Sequence, residues 1–222
     1  MIYKCYTYVA LVGLLISVMS SVSAQQVDVP VFQQSIQKKD AQVFDVRTAG
    51  EFNTGHLHNA LQADYTKKQE FVERVQYLDK QQTIYVYCLS GGRSAAAASW
   101  MRENGFREVI ELKGGINAWK QAGLTVEGIT DQQQMSVDTF HTAIASGDVL
   151  VDVGAEWCPP CRKMEPVIQA YLKENKTVSL LKVDGGRDRQ VMQAINATSL
   201  PTFILYRDGR EVWRKQGVSN TL

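Results

Sequence analysis

The sequence predicts an α/β protein of two domains that follow an N-terminal leader. Runs of apolar, β-rich residues alternate with helix-like segments, which is typical of sheets covered by helices. Apolar periodicity is lost over 127–134, a stretch rich in Gln, which we interpret as the linker between domains at 25–126 and 135–222. Each predicted domain contains a strand that runs directly into a cysteine site.

The composition is that of a globular protein. The chain has 222 residues, of which 45% are hydrophobic and 21% charged, and its formal net charge is +1. This length is sufficient for two small domains. A near-neutral charge gives no electrostatic attraction to nucleic acid or to an anionic membrane surface, so we expect no nucleic-acid partner.

Residues 1–24 have the pattern of a secretory signal peptide. Lys4 precedes an apolar run at 9–18, and the small residues of Val22-Ser23-Ala24 precede Gln25. The apolar run is short for a membrane-spanning helix, although an uncleaved anchor is the alternative. We therefore expect a periplasmic or secreted protein that is not an integral membrane protein after cleavage.

The cysteine count points to one thiol without a structural partner. Cys5 would leave with the signal peptide, and Cys88, Cys158 and Cys161 would remain. An odd count in an exported protein implies an unpaired thiol. The closely spaced pair singles out Cys88 as that thiol.

In the first domain, strand-like and helix-like segments alternate from the start, which predicts a mainly parallel sheet with helices on both faces. Predicted helices lie at 31–36, 71–78, 94–104 and 115–121, and predicted strands at 42–47, 83–87 and 108–112.

Cys88 follows the strand 83–87 and precedes a glycine loop, a cation and a helix. Active sites of parallel α/β sheets lie at the carboxyl ends of the strands. Gly91 and Gly92 allow successive backbone N–H groups to converge on the sulfur, and Arg93 adds a positive charge. This order predicts a stabilised thiolate, although a buried inert thiol is the alternative.

Three ordered motifs in this half resemble the rhodanese family. They are Asp45-Val46-Arg47 with Glu51-Phe52 and Gly55-His56-Leu57, then Cys88 to Ser94, then Leu112 to Trp119. The resemblance covers about 27–125 and implies a parallel-sheet α/β sulfurtransferase domain. Cys88 would attack a sulfane-sulfur donor such as thiosulfate and hold a persulfide, with Arg93 as its cation. The persulfide would be bound by the loop residues Leu89, Ser90, Gly91, Gly92 and Ser94.

The length of the loop discriminates within this wider fold. Four residues separate Cys88 from Arg93, whereas the related phosphatases have five, which make room for a phosphate. The shorter loop favours sulfur as cargo. His58-Asn59 departs from the family pattern, and we interpret His56 as a structural histidine rather than a catalytic base.

The second domain is predicted to begin with a helix at 137–145. Asp208-Gly209 is a hairpin turn signal. Further helices are predicted at 162–173 and 189–195, and strands at 149–153, 178–184, 200–206 and 211–216.

The segment Cys158-Pro159-Pro160-Cys161 lies between the strand 149–153 and the helix that follows. At a helix N-terminus the dipole and free N–H groups favour a thiolate at Cys158, and Cys161 is placed to close a disulfide with it. The pair therefore predicts a redox site. A purely structural disulfide is the alternative, and a zinc site lacks the further Cys or His ligands that it requires.

This half resembles thioredoxin from about residue 135. The matching residues are Asp152, Ala155 to Cys158, Pro160-Cys161, Pro201-Thr202, Asp208-Gly209 and Gly217. The resemblance implies a mixed-sheet α/β domain in which Cys158 attacks, Cys161 resolves the mixed disulfide and Asp152 relays a proton. Trp157, Leu200 and a cis Pro201 would bind substrate.

Three departures qualify the expected thioredoxin site. Pro159 stands where the family motif has glycine, so the redox potential is tuned differently. Leu180 replaces the usual lysine, which leaves Asp152 without its usual charge partner and more easily protonated. The family's last helix is apparently missing after Gly217.

Together the halves predict an exported sulfurtransferase coupled to a thiol oxidoreductase, with no cofactor and no metal. The Cys158/Cys161 dithiol would reduce or accept the persulfide of Cys88. Expected partners are a small sulfur donor and a thiol or disulfide protein, such as a membrane electron donor. The alternatives are a general protein disulfide oxidoreductase that uses its first half for docking, and a protein that binds sulfur without turnover.

Overall fold

The computed structural model describes residues 25–128 and 133–222. The predicted signal peptide at 1–24 and part of the predicted linker, at 129–132, lie outside the described residues. Within the described residues, none of the helices has the length and apolar character needed to span a membrane.

The first domain is an all-parallel sheet with helices on both faces, as the sequence predicts. In the described residues its sheet has five strands in the order β1-β5-β4-β2-β3. The elements in chain order are β1 (Gln25–Val27), α1 (Val29–Ile36), β2 (Gln42–Asp45), α2 (Ala49–Asn53), β3 (Leu61–Gln62), α3 (Lys68–Val75), β4 (Ile84–Tyr87), α4 (Gly92–Glu103), β5 (Val109–Leu112) and α5 (Gly115–Gln121).

Alternating side chains of the central strands fill two separate cores. Phe44 and Val86 point to a cluster that includes Phe71 of α3 and Met101 of α4. The opposite face places residues such as Tyr85 among side chains of α1, α2 and α5. Because both faces are covered, a site on this sheet is expected at the strand ends, where the loops lie.

The second domain is a mixed sheet, also as predicted. Its four described strands run in the order β7-β6-β8-β9, with β6 and β7 parallel and the others antiparallel. The elements are α6 (Val137–Ile144), β6 (Asp148–Gly154), α7 (Pro159–Glu174), β7 (Val178–Asp184), α8 (Arg189–Ala194), β8 (Thr202–Arg207) and β9 (Arg210–Gln216). Helices α6 and α8 cover one face, and α7 packs on the other with Met164 and Ile168 buried.

Two strands escape prediction because they are very short. β1 has three residues and β3 has two, too few for an alternating pattern. Helix α3 begins at Lys68, three residues before its predicted start at Phe71, because its first turn is polar and shows no apolar repeat. β3 matters for function because it ends at the carboxyl edge of the sheet, next to the second domain.

Candidate active site

Cys88 is a free, buried thiol at the carboxyl end of β4, so the prediction of an unpaired cysteine there is confirmed for the described residues. The loop after it turns through Gly91, whose φ of 113° lies in the left-handed region that favours glycine. Helix α4 then begins at Gly92. The loop therefore curls around the sulfur, and Leu89 is exposed at its rim.

Hydrogen bonds from the loop and from α4 converge on the sulfur of Cys88. The Gly91 N–H donates to Sγ at 3.1 Å, and the Ser94 hydroxyl lies 3.5 Å from it. Burial acts to raise the pKa of the thiol, but hydrogen bonds from the Ser94 hydroxyl and from the N–H groups of Ser94, Gly91 and Ser90 outweigh it, so the pKa is lowered. These donors of Ser90, Gly91 and Ser94, which we call the Cys88 cradle, therefore favour the thiolate, which is the nucleophilic form.

The start of α5 fixes the other side of the loop. The Ile116 N–H donates to the Cys88 carbonyl at 2.9 Å, and the Asn117 N–H donates to the Leu89 carbonyl at 3.1 Å. A Cβ at Gly115 would lie 2.4 Å from the Cys88 carbonyl oxygen. Only a glycine at 115 allows α5 to approach this closely, and the contact holds the loop carbonyls away from the sulfur.

Arg93 is bound to a carboxylate. Its two terminal nitrogens donate to the oxygens of Glu51 at 2.7 and 2.6 Å. The hydrogen bonds from Arg93 lower the pKa of Glu51 to about 2. Arg93 is therefore not the isolated cation that the sequence predicts near Cys88, because Glu51 neutralises much of its charge. The ion pair also joins α4 to α2.

Two other residues of the early motif are structural in this arrangement. Arg47 donates to Asp45 and to the carbonyl of Gly55, which fixes the strand end to the next loop. His56 stacks on Phe52 at 3.7 Å between ring centroids. Burial lowers the pKa of His56, as expected for a neutral packed imidazole.

In the second domain Cys158 and Cys161 form a disulfide at the start of α7. Cys158 caps the helix, and Pro159 and Pro160 occupy its first two positions. Proline has no backbone N–H. The expectation that free N–H groups surround Cys158 is therefore only partly met, and the helix dipole remains as the favourable electrostatic contribution.

Asp152 lies beneath the pair on β6 and is 8% exposed. Burial raises its pKa to about 6, with Lys182 opposing the rise and Glu165 adding to it. Lys182 is its partner in register on β7. Asp152 is thus easily protonated, and although Leu180 replaces the usual lysine, Lys182 supplies another cation two residues later.

The predicted substrate-binding loop lies on the other side of the disulfide. The Leu200–Pro201 peptide bond is cis, as predicted. Leu200, Pro201 and Pro160 line a cavity of about 710 Å³ whose opposite wall is α3 of the first domain. The loop therefore faces the other domain.

Trp157 joins the two domains. The backbone N–H of Gln62, at the end of β3, donates to the Trp157 carbonyl at 2.9 Å. The Trp157 ring lies 5.6 Å from the Phe52 ring and 5.3 Å from the Arg74 guanidinium carbon. A second hydrogen bond joins the domains, from the Asn53 amide to the Gly186 carbonyl at 2.7 Å.

This docking holds the turn that contains Cys158, which is 0% exposed. It also places the disulfide turn at the edge of the sheet where Cys88 lies. In register, Gln62 pairs with Asp45, which pairs with Tyr87, the residue before Cys88. Two strand spacings correspond to about 10 Å, so the Trp157 turn and the Cys88 loop are near neighbours along one edge.

A polar cavity of about 870 Å³ separates the domains beside this contact. Its walls include His56 and Glu127 on one side and Asp152, Cys161 and Lys182 on the other. Within residues 25–128 and 133–222, no group of three or more His, Cys, Asp or Glu side chains is arranged to hold a metal ion.

Apart from Trp157, which was expected to bind substrate, the residues that join the domains were not predicted as functional. Gln62 and Arg74 lie in elements without an active-site pattern, and Arg74 also donates to the Gln62 side chain at 2.7 Å. Their role depends on docking between distant parts of the chain. The one local signal was Trp157, an aromatic residue placed beside a reactive cysteine.

Family models match both halves of the chain. The model of the rhodanese-like domain matches residues 28–122, and that of thioredoxin matches residues 131–221. The matches follow one another and leave residues 123–130 between them.

Known proteins resemble each half separately. The thioredoxin of Chlamydia muridarum is 42% identical over 88 residues, which are 40% of this chain and 86% of that protein. The thiosulfate sulfurtransferase GlpE of Coxiella burnetii is 36% identical over 85 residues, which are 38% of this chain and 77% of that protein. A crystal structure of an Anabaena protein, 32% identical, covers 47% of this chain and 82% of its own, with a TM-score of 0.43.

Proposed function

The chain belongs to the rhodanese family in its first half and to the thioredoxin family in its second, and we propose that it passes sulfur from one half to the other. These families support sulfurtransferase and thiol–disulfide oxidoreductase activity in general. In the proposed reaction, Cys88 takes a sulfane sulfur atom from a small donor, and the Cys158/Cys161 dithiol removes that atom as sulfide.

The first step forms a persulfide. The Cys88 thiolate attacks the outer sulfur of thiosulfate, a bond to that sulfur forms, and sulfite leaves with the electron pair of the broken S–S bond. The lowered pKa of Cys88 provides the thiolate. The Gly91 N–H and the Ser94 hydroxyl, which bind the thiolate, would also bind the negative charge of a terminal persulfide sulfur.

The second step transfers the sulfur to the dithiol. The Cys158 thiolate attacks the terminal sulfur of the persulfide, and Cys88 leaves as a thiolate. The Cys161 thiolate then attacks Sγ of Cys158, expels hydrosulfide and closes the disulfide. Thiosulfate and two thiols have become sulfite, hydrogen sulfide and a disulfide, so that atoms and electrons balance.

Asp152 is suited to the proton transfer in this step. It lies beneath the disulfide and its pKa is raised to about 6 by burial. A carboxyl group with a pKa close to neutral can accept the proton of Cys161 as that thiol becomes the nucleophile. The polar cavity at Asp152 offers this proton a path to solvent.

The single observation that supports coupling is the hydrogen bond from the Gln62 N–H to the Trp157 carbonyl. It docks the disulfide turn at the edge of the sheet that presents Cys88. The docked disulfide corresponds to the product of the cycle, since both electrons of the pair have been used. Before transfer, Cys158 has to leave its buried position and approach Cys88.

Two further parts of the proposal concern the surroundings of the protein. The pattern of residues 1–24 supports export to the periplasm or the exterior. The disulfide has to be reduced again after each cycle, and a thiol protein, such as a membrane electron donor, would supply the electrons when the domains are undocked. Thiosulfate is proposed as donor because the first half is 36% identical to a thiosulfate sulfurtransferase, GlpE of Coxiella burnetii.

Mass spectrometry of the intact protein tests this function. The reduced full chain is mixed with thiosulfate and quenched in acid, in the wild type and in Cys158→Ser. We expect Cys88 to gain one sulfur atom in Cys158→Ser and to keep it, whereas the wild type releases it as sulfide and forms the Cys158–Cys161 disulfide. If Cys88 never gains sulfur, the sulfurtransferase function is wrong. If the sulfur is lost equally fast without Cys158, the coupling is wrong.

A further inference from the structure

The two cysteines of the disulfide differ in accessibility in an unexpected order. Cys158, at the start of the helix, is 0% exposed. Cys161, one turn further, is half-buried and lines the polar cavity between the domains. For a pair at a helix N-terminus we expected Cys158 to be the exposed, attacking sulfur. In this chain that order is reversed, and Trp157, the residue before Cys158, is bound to the first domain.

Trp157, the residue next to the buried Cys158, is packed against the first domain on several sides. The Trp157 carbonyl is bound by Gln62, and the Trp157 ring is held by Phe52 and Arg74. A protein that attacked Cys158 would have to displace this packing. A dithiol on another folded protein is therefore excluded from Cys158 as long as the domains remain docked.

The cavity beside Cys161 is open to a smaller reactant. Its volume of about 870 Å³ is ample for a low-molecular-weight thiol, and its walls come from both domains. Charged groups of both signs, such as Glu127 and Lys182, and the neutral His56 line it. Position 154 has no side chain, and a Cβ there would lie 3.6 Å from the Cys161 sulfur, so the absence of a side chain leaves space at this sulfur.

We propose that the docked disulfide is reduced by small thiols that bind in this interdomain cavity and attack Cys161, and that docking closes Cys158 to protein dithiols. The inference rests on the dithiol half of the proposed function and is independent of sulfur transfer by Cys88. In the docked state Cys161 is then the electrophilic sulfur, and the first domain admits small thiols but excludes protein dithiols.

The chemistry of the step balances. The thiolate of the small thiol attacks the Cys161 sulfur and forms a mixed disulfide, while the bond to Cys158 breaks and Cys158 leaves as a thiolate. The α7 dipole favours that negative charge. A second small thiolate then attacks the mixed disulfide at the small molecule's sulfur, which yields the oxidised small disulfide and a thiolate at Cys161.

The test uses the oxidised full chain with Cys88→Ser, so that failure of sulfur transfer cannot affect the result. The probe 2-mercaptoethanesulfonate is added, the reaction is quenched in acid at early times, and peptide mapping locates the first mixed disulfide. We expect it on Cys161. A first adduct on Cys158 would overturn the proposal.

The second measurement asks whether docking excludes a protein reductant. Gly186→Val is expected to open the interface, because a Cβ at 186 would lie 3.2 Å from both Asn53 Oδ1 and Trp157. We expect a separate, reduced thioredoxin to reduce this variant at least about tenfold faster than the parent chain. Equal rates would overturn the proposal.

A milder pair of variants controls for misfolding. Asn53→Ala removes the interdomain hydrogen bond to the Gly186 carbonyl at 2.7 Å. Asn175→Ala removes the same kind of bond, to the Tyr171 carbonyl at 2.9 Å, inside the second domain. We expect Asn53→Ala alone to accelerate reduction by the protein dithiol. Equal acceleration in both variants would contradict a role for docking.

Discussion

The Cys88 site and the Cys158–Cys161 site differ in which domains control the reactivity of their sulfur atoms. The groups that contact Cys88 all come from one domain, chiefly the loop, the start of α4 and the start of α5. The Cys158–Cys161 pair lies at the start of a helix that begins with two prolines, and the neighbouring Trp157 is bound by the other domain. The first site is therefore self-contained, whereas the reactivity of the second depends on docking.

This difference teaches where substitutions should act. Changes in the Cys88 cradle should alter sulfur uptake and leave disulfide exchange unchanged. Changes at the domain contact should alter disulfide exchange and leave uptake unchanged. Helix α2 is the exception, because Glu51 binds Arg93 while Phe52 and Asn53 contact the second domain.

The largest expected effect comes from removing the nucleophile. Cys88→Ser should lower sulfur uptake from thiosulfate by at least about 10³-fold, because the hydroxyl is a far weaker nucleophile. Reduction of the Cys158–Cys161 disulfide by a small thiol should not change. Sulfite release measures the first rate, and mass shifts after alkylation of the free thiols measure the second. A parallel loss of both activities would show that the sites are not separate.

The next effect tests the close approach of α5 to the loop. Gly115→Ala would place a Cβ 2.4 Å from the Cys88 carbonyl oxygen, at a φ of 59°. The loop must shift, which should cost about 2–3 kcal/mol of unfolding free energy and lower sulfur uptake about tenfold or more. Urea unfolding and sulfite release measure the two quantities.

Gly123→Ala is the matched control for this variant. Its φ of 73° is also left-handed, but a Cβ there meets no atom within 4 Å. Gly123→Ala should lower the unfolding free energy only by the cost of the left-handed backbone conformation, about 1 kcal/mol, and should leave sulfur uptake unchanged. Equal loss of uptake in both variants would remove the contact with Cys88 as the explanation.

In the second site, the buried carboxyl group gives a pH-dependent stability. The unfolded carboxyl of Asp152 titrates near 3.8 and the folded one at about 6, so the folded state holds the proton more tightly. Stability is therefore lost as the pH rises from 3.8 through 6, by about 3 kcal/mol at most. Asp152→Asn should lack this loss.

Urea unfolding of both proteins at pH 4 and pH 8 measures the effect. The difference in unfolding free energy, Asp152→Asn minus wild type, should be larger at pH 8 than at pH 4 by about 2–3 kcal/mol. The same variant should slow the closing of the disulfide, because the proton acceptor for Cys161 is gone. A gain that is equal at the two pH values would show that Asp152 is not titrating as described.

The smallest effect concerns one hydrogen bond in the Cys88 cradle. Ser94→Ala removes the hydroxyl 3.5 Å from the sulfur, so the pKa of Cys88 should rise. Near neutral pH the rate of alkylation should fall about threefold to tenfold, and the difference should vanish at high pH, where the thiol is fully ionised. Ser99→Ala, an exposed change on the same helix, should leave the pH profile unchanged.

The sequence supports the prediction of both folds because their signals are local. Strand and helix periodicity, the Cys88 loop with its glycines, and the paired cysteines before α7 all lie within short segments. The free thiol at Cys88 and the cis bond at Pro201 were predicted and are confirmed. The short strands β1 and β3 were missed, since two or three residues cannot show a pattern.

The contacts that set the chemistry were harder to predict. The pairing of Arg93 with Glu51 joins residues 42 positions apart, and that of Asp152 with Lys182 depends on the register of two strands. The hydrogen bond from Gln62 to Trp157 joins two different domains. Such contacts depend on how separate elements are oriented, and no short motif encodes that orientation.

The central claim, that sulfur passes from Cys88 to the dithiol within one chain, is tested most directly by mixing two variants. Reduced Cys158→Ser keeps a sulfur acceptor at Cys88, and reduced Cys88→Ser keeps the dithiol. An equimolar mixture with thiosulfate is compared with the wild type as the protein is diluted, and sulfide release is measured. Transfer within a chain predicts a wild-type rate per chain that does not change on dilution, and little sulfide from the mixture. A mixture that releases sulfide as fast as the wild type would contradict it.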